Sequence, residues 1–241
     1  MTQNANSDVA HHDPPDGPRS GAGAVREGRP ADVAARTAQR TLAARAADYT
    51  SEVRRLLDAA LELMRGGGTS SRPRVADIVA AAGLSNDAFY RHFPSKDALV
   101  SALIEDGADR LASYAAHQMG KETNPAEKVL RWVEAILAQS RGEAAEITLA
   151  VLWNGSGLGG QATGRYPGAA GLAAALRDTF ADLGSAEPDF DASLATYATL
   201  GVLADHLWKR APVDAAAAER VVAFCLRMIT PSPSTDPTGV A

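Results

Sequence analysis

The sequence contains one cysteine, Cys225, and its aromatic residues make up only 5% of 241 positions. A single cysteine cannot form a disulfide within the chain, which excludes the class of disulfide-stabilised secreted domains. Its apolar neighbours favour a buried thiol over a nucleophile. No apolar run approaches the roughly 18 residues that span a bilayer, and residues 1–20 lack the apolar segment of a secretory signal. We therefore expect a cytoplasmic protein.

Catalytic and cofactor motifs are also missing. His117 and His206 are isolated, and neither H-E-x-x-H nor G-x-S-x-G occurs. Residues 155–160 fit G-x-G-x-x-G formally, but a dinucleotide site needs a strand before the glycines and a helix that opens at the last one. The flanking sequence supplies neither. We expect no enzyme activity, no cofactor and no metal ion.

Composition divides the chain into four parts. Residues 1–49 form an extension that we expect to be mostly disordered, since its first part has almost no large apolar side chains. From residue 30 it is rich in alanine and arginine, which favours either a helix or an arm. Residues 50–98 and 99–230 form two folded domains, and residues 231–241 form a disordered tail.

The helical period dominates both folded parts. One apolar stripe begins after Ser51 and ends at a run of three glycines, and a shorter stripe ends at Gly83. A third helix begins after Ser85, a residue suited to an N-cap, and ends before Pro94. A helix, a short turn with glycine and a second helix form the helix-turn-helix arrangement. The first stripe consists of Val53, Leu56, Leu57, Ala60, Leu61 and Met64.

Further helices are predicted to follow without any strand. One begins after Ser95, and Asn124 with Pro125 marks the start of another. Three more are expected near residues 167–183, 190–210 and 213–229. No alternating pattern of apolar and polar residues persists, so the sequence predicts an all-α protein with an N-terminal three-helix head.

The third helix carries residue types that suit DNA. The N-terminal turn of a recognition helix enters the major groove, and later side chains reach phosphate oxygens. Arg91 can serve either a guanine or the backbone. The predicted base-facing residues are Asn86, Asp87, Ala88 and Arg91, and the predicted backbone contacts are Arg74, Ser85, Tyr90, His92 and Lys96.

The net charge of −5 argues against an anionic partner only until its distribution is considered. Residues 1–98 carry 13 Lys and Arg against 12 Asp and Glu, whereas residues 99–241 carry 11 against 17. The acidic excess therefore lies outside the helix-turn-helix part. A nearly neutral head relies on a few placed contacts and on dimerisation. A mobile arm can add Arg26, Arg29, Arg36, Arg40 and Arg45.

The segment "VADIVAAAGLSNDAFYRHFPSKDALV" resembles the DNA-binding signature of the TetR family of bacterial transcriptional regulators. The likeness covers about fifty residues, from Ser51 to Val100, and rests on the combination of Gly83-Leu84-Ser85, Phe89-Tyr90, His92-Phe93 and Ser95-Lys96. It implies a helical homodimer with a DNA-binding head and a C-terminal domain for dimerisation and a small ligand. It also implies backbone contacts for Tyr90, His92 and Lys96, and a base-facing turn at residues 86–88.

Three positions depart from the family pattern. Asp87-Ala88 replaces the common Gly-Thr or Gly-Ser, and Arg74 stands where threonine often opens the second helix. Asp87 either accepts a hydrogen bond from a cytosine amino group or stabilises the helix N-terminus through its dipole. Arg74 can add a phosphate or base contact that is lost elsewhere.

The C-terminal part yields candidates for a ligand pocket and an interface. Aromatic residues are either pocket walls or plain core, and the last two helices are apolar on several faces, as expected for a dimer interface. The sequence thus predicts a repressor that a small molecule releases from its operator, or alternatively a helical small-molecule enzyme whose head is only structural. The pocket candidates are Trp132, Trp153, Tyr166 and Tyr197, and the interface candidates are Leu203, Leu207, Phe224 and Met228.

Overall fold

The computed structural model describes residues 30–155 and 168–229, with side chains from residue 33 onward. Within these ranges the secondary structure consists of α-helices and one short 3₁₀ turn, Ala138–Ser140, with no strand. The chain divides into two units, Met1–Ala47 and Asp48–Ala241. The helices are α1 (Pro30–Gly67), α2 (Val75–Ala82), α3 (Asn86–His92), α4 (Lys96–Met119), α5 (Pro125–Leu137), α6 (Gly142–Gly155), α7 (Ala169–Asp182), α8 (Pro188–Trp208) and α9 (Ala215–Arg227).

The first unit is described only where it contributes to α1. Its side chains from residue 33 to 47 are all exposed. A helix without a buried face relies on its own backbone hydrogen bonds and on alanine's high helix propensity. Of the arginines expected in an arm, Arg36, Arg40 and Arg45 lie here, whereas Arg26 and Arg29 lie outside the described residues.

The second unit begins with a small helical head. The apolar stripe of α1 packs against α2, α3 and the start of α4, and α6 adds Ala150 and Val151 to the same cluster. Phe89 of α3 is fully buried there, which fixes that short helix to α1. The fully buried members of this core include Leu56, Ala60, Met64, Ile78, Leu99 and Val100.

The remaining helices surround a second core. Trp132 of α5 is fully buried at its centre, and its indole N–H donates a 3.1 Å hydrogen bond to the carbonyl oxygen of Leu172 in α7. Leu176 and Phe180 of α7 are also fully buried, as is Cys225 of α9. This core contains large apolar side chains from α4 to α9.

Side-chain caps start several helices where the sequence predicts them. Oγ of Ser85 accepts a 3.1 Å hydrogen bond from the amide of Ala88, and Oγ of Ser95 does the same for Ala98. Oδ1 of Asn124 accepts from the amide of Ala126 at 2.8 Å. The segment for which the sequence left open a helix or an arm is helical from Pro30 and continues into the helix before the three glycines. One feature differs from expectation: α6 lies in a segment for which the sequence predicted no helix.

Candidate nucleic-acid interface

The turn between α2 and α3 is held by an arginine from α1. Gly83 ends α2 with a φ of 63°, a left-handed conformation that glycine adopts without strain. Nη2 of Arg55 donates hydrogen bonds to the carbonyl oxygens of Ala82 at 2.5 Å and Gly83 at 3.0 Å. Arg55 therefore satisfies carbonyls at the end of α2 and ties the turn before α3 to α1.

One side of α3 is buried and the other is open to solvent. Ala88 and Phe89 are buried, whereas Asn86, Asp87 and Tyr90 are exposed. The burial of Ala88, at 5% exposure, corrects the expectation that it faces a base, because its methyl group belongs to the side of the helix that packs on the head. The exposed side contains Asn86, Asp87, Tyr90 and Arg91.

Tyr90 extends from this exposed side while its ring contacts the core. Its ring meets that of Phe89 edge to face, with centroids 5.3 Å apart, and Phe89 in turn lies 5.9 Å from Phe93. The Tyr90 residue remains 59% exposed. A supported ring with an exposed phenol is suited to donate a hydrogen bond to a phosphate oxygen.

Glu52 of α1 binds the last turn of α3. Its Oε2 accepts hydrogen bonds from Nη2 of Arg91 at 3.0 Å and from Nε2 of His92 at 2.6 Å. These two bonds, chiefly the one from His92, hold the pKa of Glu52 below its usual value. The His92 side chain has no exposed surface. This position corrects the expectation of a backbone contact, since a buried imidazole bound to Glu52 does not face a phosphate.

Arg74 lies directly before α2, and Lys96 is the first residue of α4. Nζ of Lys96 donates a 3.3 Å hydrogen bond to the carbonyl oxygen of Pro73, and its side chain is half-buried. Arg74 is the N-cap residue of α2, and its amide donates a 2.8 Å hydrogen bond to Oδ2 of Asp77. That bond lowers the pKa of Asp77. The Arg74 side chain is 83% exposed, and its Nε donates a 3.5 Å hydrogen bond to Oδ2 of Asp77, so the exposed end of the guanidinium is accessible to a phosphate.

Sequence reasoning missed Glu52 and Arg55. Each acts on residues of α2 or α3 that lie 27 to 40 positions further along the chain. A local motif contains no signal for such pairs. An acidic and a basic residue on the polar side of α1 are interpreted only as solvated charges until the packing of α1 on α3 is known.

The sequence comparison matches this region to a known domain. The family model described as bacterial regulatory proteins of the tetR family matches residues 56–103, which contain the second half of α1, α2, α3 and the start of α4. The chain therefore carries a TetR-type DNA-binding domain. No curated protein matches the sequence significantly.

Solved structures show the same fold over most of the chain. RolR in complex with the ligand resorcinol superposes with a TM-score of 0.54 at 16% identity, covering 78% of this chain and 91% of RolR. A protein described as a TetR-family transcriptional regulator from Mesorhizobium loti MAFF303099 superposes with a TM-score of 0.54 at 15% identity, covering 74% of this chain and 95% of that one. At these identities the likeness concerns the fold. The described residues of this chain therefore share the helical fold of these two structures.

The four pocket candidates occupy different places. Trp132 is core, the alternative that the sequence left open, because its ring is fully buried and its N–H is already bonded. Tyr197 is 39% exposed on α8, so its place in a pocket stays a prediction. Trp153 is half-buried near the end of α6, with its ring 6.1 Å from that of Trp208. Tyr166 lies outside the described residues.

The four interface candidates divide into two core residues and two residues nearer the surface. Leu203 and Leu207 are 5% and 3% exposed inside the C-terminal core, which corrects their assignment to a dimer interface. Phe224 of α9 is 45% exposed, and Met228 is half-buried. A shallow groove between α8 and α9 is lined by Phe224, Gly201 and Val202. The exposed side of α8 contains Phe190, Leu194, Tyr197, Gly201, Asp205 and Trp208.

Residues 30–155 and 168–229 contain no candidate for a metal site or a membrane-spanning helix. Among these residues, no group of three or more histidine, cysteine, aspartate or glutamate side chains is arranged to hold a metal ion. None of the helices described is both long and apolar enough to cross a membrane.

Proposed function

We propose that this chain is a dimeric transcriptional repressor that a small-molecule effector releases from its operator. The observation that carries the proposal is the exposed side of α3, which presents Asn86, Asp87 and Tyr90 while Phe89 fixes the helix to the head. We assign residues 50–98 to DNA binding and residues 99–230 to ligand binding and dimerisation. The family match supports the first assignment.

The exposed residues divide into two kinds of contact. Asn86 begins α3, where a side chain enters the major groove and an amide can pair with adenine. Asp87 lies beside it and either accepts a hydrogen bond from a cytosine amino group or stabilises the helix N-terminus through the helix dipole. The residues proposed to hold the phosphate backbone are Arg74, Ser85, Tyr90 and Lys96.

Dimerisation is proposed to use the exposed sides of α8 and α9. Leu194, Tyr197 and Phe224 expose apolar surface there, and the groove beside Phe224 can receive side chains of a second copy. Two heads are needed because one short helix reads only a few base pairs. Half-sites spaced about 34–36 Å apart would place both recognition helices on one face of the duplex.

The effector is proposed to act through α6. Ala150 and Val151 of this helix pack in the head core, and Trp153 lies one turn further along the same helix. A ligand that contacts Trp153 and favours one position of α6 would shift the head, with a coupling of about 1–3 kcal/mol. RolR binds resorcinol, so small phenolic compounds are the first probes for this chain.

A selection from random duplexes tests the DNA-binding proposal. The full-length chain is incubated with a random-sequence library at moderate salt, and bound duplexes are amplified and sequenced through several rounds. We expect a palindromic pair of half-sites to be enriched. If no sequence is enriched, DNA recognition is excluded, and a helical enzyme with a structural head becomes the better explanation.

Two substitutions then separate base readout from backbone contact. Asn86→Ala is expected to cost about 1–3 kcal/mol on the enriched site and to relax the preference at one position of each half-site. Lys96→Ala is expected to weaken binding to all sequences about equally. It is also expected to reduce the slope of log K against log salt by roughly one for each head. The reverse pattern would show that α3 does not enter the groove as proposed.

A further inference from the structure

The exposed side of α3 is bordered by a carboxylate. Glu52 lies on α1, 39 positions before Arg91, yet its Oε2 accepts a 3.0 Å hydrogen bond from Nη2 of Arg91. The Arg91 side chain is 58% exposed and the Glu52 side chain is 29% exposed. The pair therefore lies at the edge of the side of α3 that is open to DNA. Arg91 is the cation on that side of α3, and it already has a partner.

The position of Glu52 is fixed from a second direction. The same oxygen accepts from Nε2 of His92 at 2.6 Å, and the His92 side chain has no exposed surface. The ring of Tyr49, also on α1, meets the His92 ring edge to face with centroids 4.2 Å apart. Because His92 is buried and its ring packs against that of Tyr49, it anchors the Glu52 carboxylate beside Arg91. The hydrogen bonds from His92 and Arg91 lower the pKa of Glu52, so this group is anionic at neutral pH.

An anchored carboxylate changes what Arg91 offers to DNA. A free arginine pairs with any phosphate and strengthens binding to every sequence equally. An arginine already paired with a carboxylate must first lose that partner. The nearby negative charge also opposes the phosphate backbone of every duplex. Both effects weaken non-specific binding, while the base contacts of Asn86 act only on the correct site.

We propose that Glu52 is a specificity-determining positioning residue that withholds Arg91 from the phosphate backbone, so that discrimination between sequences depends on the N-terminal turn of α3. This inference rests on the proposed DNA-binding function. It assigns Arg91 neither to a base nor to the backbone. It also gives His92 a role as the anchor of Glu52.

The experiment compares wild type, Glu52→Gln, Arg91→Ala and the double variant. Each full-length protein is titrated with the duplex that wild type enriches and with a mixed-sequence duplex of the same length, at several salt concentrations. For Glu52→Gln we expect tighter binding to the mixed-sequence duplex and a loss of discrimination between the duplexes. The salt dependence, as the slope of log K against log salt, is expected to steepen by about 0.9 for each head.

The arginine variant tests the same inference without altering Glu52. We expect Arg91→Ala to leave the salt slope of wild type unchanged, because a withheld cation releases no counterions. Glu52→Gln in the Arg91→Ala background is then expected to leave the slope unchanged as well. A purely structural role for Glu52 would lower the thermal midpoint without steepening the salt slope.

Three results would overturn the inference while leaving the proposed function intact. The first is a salt slope of Glu52→Gln that equals that of wild type, in a protein that still enriches its site. The second is that Glu52→Gln steepens the salt slope equally in the Arg91→Ala background. The third is that Arg91→Ala alone makes the salt slope shallower. The last result also decides the matter if Glu52→Gln does not fold. Failure of wild type to enrich any duplex is a different outcome, because it removes the proposed function itself and this inference with it.

Discussion

Nη2 of Arg210 donates a 2.7 Å hydrogen bond to Oγ1 of Thr69, joining residues 141 positions apart. Thr69 lies in the connection from α1 to α2, and Arg210 lies in the turn between α8 and α9. Among the described residues, Arg210 is the one non-glycine residue with a positive φ, at 51°. A strained backbone position thus presents a side chain to the DNA-binding head.

The strain at Arg210 predicts an unusual order of stability. Arg210→Ala and Arg210→Gly both remove the hydrogen bond to Thr69, so the two variants differ mainly in the cost of the left-handed conformation. We expect the glycine variant to be more stable than the alanine variant by about 1 kcal/mol. Urea unfolding monitored by circular dichroism measures the difference.

The neighbouring lysine supplies the control. Lys209 has a φ of −76°, a conformation that alanine adopts readily. At this position we expect the opposite order, with Lys209→Ala more stable than Lys209→Gly by about 0.5–1 kcal/mol. The same order at both positions would contradict a left-handed backbone at Arg210.

Association through α8 and α9 is tested with Phe224 and Leu194. Both side chains are more than 40% exposed, and burial of an apolar side chain contributes about 1.5–3 kcal/mol. Phe224→Glu or Leu194→Glu is therefore expected to weaken dimerisation by at least about tenfold, as measured by sedimentation. Tyr114→Glu is a matched control, because Tyr114 is 51% exposed on α4. A wild type that is monomeric at micromolar concentration would exclude the proposed interface.

The reactivity of Cys225 follows from its burial. Burial raises the pKa of the Cys225 thiol to about 11, and the residue has no exposed surface. Since the thiolate is the nucleophile and the side chain is buried, the native thiol is expected to react poorly at neutral pH. We expect iodoacetamide to modify the native protein far more slowly than the urea-unfolded protein, with mass spectrometry as the readout. Equal rates would show that α9 does not bury this side chain.

The N-terminal helices of the second unit were predictable because local signals agree there. The apolar stripe of α1, the glycine after α2 and the serine caps of α3 and α4 each specify one boundary. The helix α6 escaped prediction because it begins at Gly142 and contains β-branched Ile147, Thr148 and Val151, which have modest helix propensity. Packing of α6 on both cores compensates for that local weakness.

The sequence predicted only those features of the site that depend on local helical spacing. Phe89 and Phe93 lie four positions apart, which indicates one apolar side, and both residues are buried. This spacing does not reveal that α1 brings Glu52 to His92, because that pair depends on tertiary packing. The same limit explains why Leu203 and Leu207 were assigned to an interface although they lie in the core. An apolar residue on a helix faces either its own core or a partner, and the sequence pattern alone does not distinguish these.

The start of α2 predicts how stability changes with pH. The amide of Arg74 donates to Oδ2 of Asp77 at 2.8 Å, and this bond lowers the pKa of Asp77 from 3.8. A carboxyl group whose pKa is lowered by folding stabilises the native state above its unfolded pKa, and this contribution is lost as the pH falls through the folded pKa. We therefore expect Asp77→Asn to lower the urea midpoint at neutral pH, and the difference from wild type to shrink below pH 3.8.

Asp58→Asn is the control, because Asp58 is exposed in the middle of α1, away from a helix terminus. A difference between Asp77→Asn and wild type that stays constant from neutral to acidic pH would show that the charge of Asp77 does not stabilise α2.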